Sequence, residues 1–189
     1  MNVTMKMVEI RRHSLADSQG NLSPEGIDVA RAARRSLELG YIRLLSSPKA
    51  RAVQTLTELG GEKIEYDDRF GTLPGDRLAP FDAKVKSLMS ERKIRLLEAY
   101  FEIAETCAIL EEKGREMLQA VVDIARALPE GGKALIVSHG GSIEPAAILA
   151  MRREFSLQAI GGELGLCEGV RFFLEDDQVR RVDIVRLAR

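Results

Sequence analysis

The 189-residue chain has only two cysteines, Cys107 and Cys167. That is too few for a disulfide framework, and they form no Cys-x-x-Cys spacing, so both read as small hydrophobes of a reducing compartment. No apolar run approaches the roughly 20 residues that a membrane-spanning helix needs. A secretory leader is not expected either, because Lys6, Glu9, Arg11 and Arg12 interrupt the first residues. A formal net charge of −1 gives no global drive toward nucleic acid or a membrane surface. Internal repeats, low-complexity tracts and interdomain linkers are missing, and carboxylates are scattered rather than clustered with histidine or cysteine as metal ligands would be. These absences leave the expectation of a cytoplasmic protein, one domain over 1–189, whose 45% hydrophobic residues fill an ordinary core.

Histidine is equally scarce, and its placement is informative. His13 ends the apolar run Met7-Val8-Glu9-Ile10-Arg11-Arg12, and His139 ends Ala134-Leu135-Ile136-Val137-Ser138 ahead of Gly140-Gly141. A third fragment, Leu44-Leu45-Ser46-Ser47-Pro48-Lys49-Ala50-Arg51, repeats the layout with an arginine. In an open parallel sheet, ligands bind beyond the carboxyl ends of the strands. Three cationic or titratable groups delivered there point to one anion-binding, phosphate-handling site. An isolated histidine is more often a satisfied core or surface residue, and the matched contexts of these two argue against that.

Strand and helix signals alternate through the first half. Ser23 reads as an N-cap, Pro24 as the first helical residue, and Ile27, Ala30, Ala33 and Leu37 as one face of a helix stopped by Gly40. A strand over Ile42–Leu45 follows, then a helix capped by Ser47 with Pro48 at its first position and Gly60-Gly61 at its end. Ile64–Tyr66 reads as a third strand, 67–80 as a loop rich in Asp, Gly and Pro, and 81–103 as charged and mostly helical. From residue 105, Leu110, Met117, Leu118, Val121, Ile124, Ala125 and Leu128 trace a long amphipathic helix. Beyond the His139 strand come a helix over Ile143–Met151 and a hairpin of Val170–Leu174 and Val179–Leu187 around Glu175-Asp176-Asp177-Gln178. The expected architecture is a three-layer α/β/α sandwich with a largely parallel sheet and an antiparallel pair at one edge.

Arg51 falls in the first turn of its helix, where unpaired N–H groups and the positive dipole end already favour phosphate, and its guanidinium matches phosphate oxygens two at a time. Arg12 would point away from His13 in a regular strand, so both serve one site only if the chain has left strand geometry there. A surface salt bridge is the alternative for Arg12. Gly140-Gly141 would let the backbone approach a ligand closely.

Four blocks together resemble the histidine phosphatase superfamily, the phosphoglycerate mutase-like proteins. Arg12-His13-Ser14 is similar to its Arg-His-Gly signature, and Leu22-Ser23-Pro24-Glu25-Gly26 to its Leu-Thr-x-x-Gly helix start. Ser46-Ser47-Pro48-Lys49-Ala50-Arg51-Ala52-Val53-Gln54-Thr55 resembles its arginine block, and Ser138-His139-Gly140-Gly141 its second-histidine block. The resemblance runs from residue 7 to about residue 150. It implies a phosphoglycerate mutase-like fold, no cofactor and no metal. In that pattern His13 is the nucleophile that becomes phosphohistidine, and Arg12, Arg51, His139 and Gly140 surround the phosphate. Gln19 stands where many members have a phosphate-contacting asparagine.

Ser14 replaces the usual glycine, and the proton donor departs from the pattern. Where many members have a glutamate four residues before a glycine, this chain has Asp67-Asp68-Arg69-Phe70-Gly71, so Asp67 matches by spacing with an arm one methylene shorter. The same aspartates would also serve as loop caps, and Asp68 and Glu144 are the other candidate donors. The expected activity is hydrolysis of a phosphorylated small molecule or phosphoprotein, favouring good leaving groups if no acid is placed. The alternatives are mutase-type transfer and a phospho-ligand binding module with little turnover. The segment between the arginine block and the second histidine, with Arg77, Lys84, Lys86, Arg92, Lys93 and Arg95, reads more readily as a solvated helix face than as a basic lid.

Overall fold

The structure is a computed structural model that describes residues 5–188. Its centre is a six-stranded sheet in the order β3-β2-β4-β1-β5-β6, where β1 is Lys6–Arg12, β2 Tyr41–Ser46, β3 Ile64–Tyr66, β4 Lys133–Ser138, β5 Gly169–Glu175 and β6 Gln178–Val185. The first four run parallel, and β5 and β6 add the antiparallel edge. Asp176 and Asp177 form the two-residue turn between them, both at positive φ (48° and 58°), as hairpins with primed turns require.

The central strand β4 shows why helices must cover both faces. Ala134 and Ile136 pack with β1 and β5 against α6 (Ala104–Ala127) and α7 (Ile143–Met151). Leu135 and Val137, pointing the other way, meet Ala30 and Ala33 of α1 (Pro24–Ala33) and Ala52 and Leu56 of α2 (Ala50–Glu58). Alternation with period two thus gives each face its own hydrophobic core. On β1 the fully buried Glu9 is answered by Tyr41, Arg11 and Arg171, and the two arginines also donate to the Ser36 carbonyl, which ties the end of the α1 segment to the sheet.

Several local expectations need correction. Ser23 does cap α1, its hydroxyl accepting from Gly26 N–H at 3.0 Å, but the helix tightens at Arg34–Ser36 and Leu37 is already extended. The second helix starts at Ala50 rather than Pro48, with Lys49 as its cap residue. Ser47 lies two residues ahead of that cap; its hydroxyl accepts from Lys49 N–H at 3.3 Å and also meets a histidine, as described below. The segment 67–80 holds a short 3₁₀ turn at Asp68–Phe70 and the helix α3 (Gly75–Leu78). The charged stretch divides into α4 (Asp82–Arg92) and α5 (Leu96–Glu102), broken where Lys93 adopts φ 56°. Among the described residues, no helix is long and apolar enough to cross a membrane.

Candidate active site

Register builds the site. Arg12 of β1 pairs with Ser138 of β4, and Ser46 of β2 pairs with Val137. Three neighbouring parallel strands therefore end nearly level, and the residues that follow them, His13, His139 and Ser47, emerge side by side. Backbone bonds continue one step past the strands, from His13 N–H to the Ser138 carbonyl (2.9 Å) and from Ser47 N–H to the Val137 carbonyl (3.0 Å).

The two imidazoles meet edge to face, with centroids 5.1 Å apart. Arg51, at the second residue of α2, reaches both. Its Nε donates to His13 Nε2 at 3.0 Å and its Nη2 lies 3.3 Å from His139 Nδ1. Because guanidinium only donates, both of those ring nitrogens accept. His13 Nδ1 then carries the proton and donates it to the Ser14 carbonyl at 2.6 Å. His139 carries its proton on Nε2, facing the Ser47 hydroxyl at 2.7 Å.

Both rings are kept neutral. Burial is the main cause for His13, and the Arg51 and Arg12 charges add to it against the Ser14 carbonyl, so its pKa falls to about 4. His139 falls to about 3, through burial first and then the charges of His13, Arg51, Lys49 and Lys113. A neutral imidazole with a fixed tautomer and an unprotonated Nε2 can act as a nucleophile once Arg51 Nε gives up that lone pair.

Ser14 folds the His13 loop onto its supports. Its hydroxyl donates to the Gly26 carbonyl (2.7 Å), and its N–H donates to Thr55 Oγ1 (2.9 Å), which itself donates to the Arg51 carbonyl (2.7 Å). Gly26 is required there, because a Cβ would lie 2.0 Å from the Leu15 carbonyl oxygen.

Arg12 is the last residue of β1, and the strand ends one residue before His13. Its guanidinium lies against Gly140, where an added Cβ would sit 2.8 Å from Arg12 Cζ. The same group bonds the Leu164 carbonyl and Glu163 Oε1 (3.2 Å), so it is salt-bridged as well as packed on Gly140. Glu163 in turn lies 3.8 Å from Arg95 Nη1. A cavity of about 690 Å³ opens beside them, lined by Arg12, Arg95, Leu96, Glu163 and Leu166 among others. Arg95 therefore belongs to the rim of this cavity as well as to a solvated helix start.

The carboxylates and the amide are placed differently. Gln19 is exposed, and its described hydrogen bond is from its own N–H to Asp17 Oδ1 at 2.8 Å. Asp67 caps the 3₁₀ turn through Arg69 N–H (3.0 Å) and grips the Arg69 guanidinium, which also reaches Asp123 at 2.6 Å. Burial raises the Asp67 carboxyl, but the hydrogen bonds and charge of Arg69 prevail and hold it below the ordinary range. A carboxylate kept ionised by its own arginine is a poor proton donor. Asp68 is exposed. Glu144 is fully buried, and its two oxygens accept from Gly141 N–H and Leu164 N–H. Among the described residues, no three His, Cys, Asp or Glu side chains gather to hold a metal ion.

Sequence reasoning missed Ser47 and Glu163. The Ser-Ser-Pro run looked like a helix cap, and Glu163 sits in a glycine-flanked loop with no periodic signal.

No curated protein matches the chain. Solved structures do, over nearly its whole length. A mycobacterial hydrolase is 18% identical, with 98% of this chain and 100% of that chain covered and a TM-score of 0.73. A phosphoserine phosphatase from Entamoeba histolytica, in complex with 3-phosphoglyceric acid, is 15% identical over 97% of this chain and 98% of its own, with a TM-score of 0.69. A mycobacterial glucosyl-3-phosphoglycerate phosphatase bound to VO3 is 19% identical over 96% and 99%, also at 0.69. These similarities establish the α/β fold. The family pattern of the histidine phosphatase superfamily (branch 1) matches residues 6–160, a span that contains β1, the arginine block and the second-histidine block, and the chain belongs to that superfamily.

Proposed function

We propose that this protein is a phosphatase that hydrolyses phosphomonoesters of small molecules through a phosphohistidine on His13 Nε2. The observation that carries the reading is the His13 ring itself. Ser14 holds Nδ1–H at 2.6 Å, and Nε2 is an unprotonated acceptor facing Arg51. On substrate arrival the phosphorus takes the position over Nε2, and the Arg51 donors pass to the phosphoryl oxygens. The Nε2 lone pair forms the N–P bond while the P–O ester bond breaks, its electron pair leaving on the ester oxygen. Water then attacks phosphorus, the N–P pair returns to Nε2, and inorganic phosphate departs. Arg12, Arg51 and His139 supply the positioned positive charge on which phosphoryl transfer depends. A dianion between them opposes the charges that hold His139 neutral and favours its imidazolium, a further donor.

The small-molecule substrate class rests on two supports. A cavity of metabolite size adjoins Arg12, which alone among Arg12, His13, Arg51 and His139 lines it, and related structures are named for phosphoserine, 3-phosphoglyceric acid and glucosyl-3-phosphoglycerate. Asp67 is committed to Arg69, so leaving groups that need little protonation, such as aryl phosphates, turn over fastest.

The test pairs steady-state hydrolysis of p-nitrophenyl phosphate with alkaline-quench trapping of the phosphoryl-protein. Wild type is expected to release phosphate and form an acid-labile, alkali-stable adduct, and His13→Ala to do neither. Equal rates in the two proteins would remove His13 as nucleophile. Isomerised rather than hydrolysed product from bisphosphoglycerate would establish a mutase instead.

A further inference from the structure

Glu144 is the second residue of α7 and is fully buried. Burial pushes its carboxyl up, opposed by the backbone amides that donate to it and by the charge of Arg12. Its oxygens accept from Gly141 N–H at 2.7 Å and Leu164 N–H at 3.1 Å. Among the described residues no side-chain cation bonds it directly. Withdrawing a carboxylate from water on those terms is costly, and an apolar residue of similar volume would serve the core better.

The two amides that Glu144 holds belong to the two walls that confine Arg12. Gly141, at φ +85°, directly follows Gly140, on whose open side the Arg12 guanidinium lies. The carbonyl of Leu164 accepts from Arg12 Nη1, and Glu163 takes the same nitrogen at 3.2 Å. Between these walls Arg12 Nε is buried and has no hydrogen-bond partner among the described residues. One carboxylate thus sets the separation of the surfaces on either side of this guanidinium.

We propose that Glu144 is the positioning residue for Arg12, clamping the Gly140–Gly141 and Leu164 backbones at the spacing that aims this guanidinium at a phosphoryl oxygen. The inference rests on the reading of Arg12 as a phosphate ligand. It gives Glu144 no contact with substrate and no proton to transfer.

The test is a double-mutant cycle on inorganic phosphate binding, read by calorimetry, with thermal midpoints measured alongside. Glu144→Gln keeps the shape but turns an NH2 toward one of the two backbone amides, so one wall is released. It is expected to weaken phosphate binding about 10-fold, the scale of one misdirected charge-assisted bond. Arg12→Ala should weaken it at least as much, and the double variant should bind within about twofold of Arg12→Ala alone, because the Glu144 effect passes through Arg12. Additive losses would overturn the proposal, as would a lowered midpoint with unchanged phosphate affinity. If Glu144→Gln does not fold, Glu144→Asp, which keeps the charge on a shorter stem, enters the same cycle under the same criteria. Phosphate binding that Arg12→Ala leaves intact would also overturn it. Because the readout is binding, a wild type that binds phosphate through Arg12 without turning over substrate defeats the phosphatase reading while the cycle still decides the role of Glu144.

Discussion

Gly140→Ala isolates the Arg12 contact without touching a charged group. Gly140 does not require positive φ, so alanine is compatible with the backbone, and Gly→Ala at such a site gains roughly 0.4–1 kcal/mol by restricting the unfolded chain. The added methyl, however, falls 2.8 Å from Arg12 Cζ and Nε and 3.0 Å from Nη1. Ordinary carbon contacts begin at about 3.5 Å, so the guanidinium must retreat by roughly 0.7 Å. It cannot do so freely, because Nη1 is tied to Glu163 and to the Leu164 carbonyl. A displacement near 1 Å at a positioned group costs on the order of 100-fold in rate. The expected outcome for kcat/KM on p-nitrophenyl phosphate is therefore a fall of about 10- to 100-fold. The thermal midpoint should stay within a few degrees of wild type, since about 1 kcal/mol shifts a chain of this size by roughly 2–4 °C. Gly75→Ala, where an added Cβ meets nothing within 4 Å, is the control and should leave kcat/KM unchanged. Wild-type activity in Gly140→Ala would refute the packing of Arg12 on Gly140 as a catalytic requirement.

Two further predictions concern stability. His13 and His139 titrate near 4 and 3 in the folded chain, below the unfolded value of about 6.5. As pH falls from 7 to 5 the unfolded chain therefore takes up protons that the folded chain refuses, and stability is lost by at most about 2 kcal/mol per imidazole. Urea midpoints of wild type and His139→Gln at pH 7 and 5 check this, and an equal loss in both would contradict the buried neutral state of His139. Gly26→Ala places a Cβ 2.0 Å from the Leu15 carbonyl oxygen, a backbone atom that cannot swing aside. It should destabilise by about 3 kcal/mol in urea melts, and a loss under 1 kcal/mol would mean that α1 and the His13 loop separate easily.

Much of this was legible in the chain before folding. The runs ending at His13 and His139, the Ser-Ser-Pro-x-x-Arg block and the two glycines after His139 marked strand ends and a helix start, because local preference and periodicity act over a few residues. The same locality explains the errors. Ser47 has the side chain of a cap, and only the approach of β4 shows that its hydroxyl is engaged by His139, 92 positions away. Asp67 matches a proton donor by spacing, yet Arg69 and Asp123, the latter on α6, draw it into an ion network.

By itself, then, the sequence determined the alternation of strands and helices and the identity of the cationic groups at the strand ends. Tertiary structure alone decided which ring nitrogen of each histidine carries the proton, how Arg51 spans both rings, and how Glu163 and Leu164 hold Arg12. Those are contacts between segments far apart in the chain. Their geometry follows from strand register and from the need to satisfy buried polar groups, neither of which is written in any single stretch of residues.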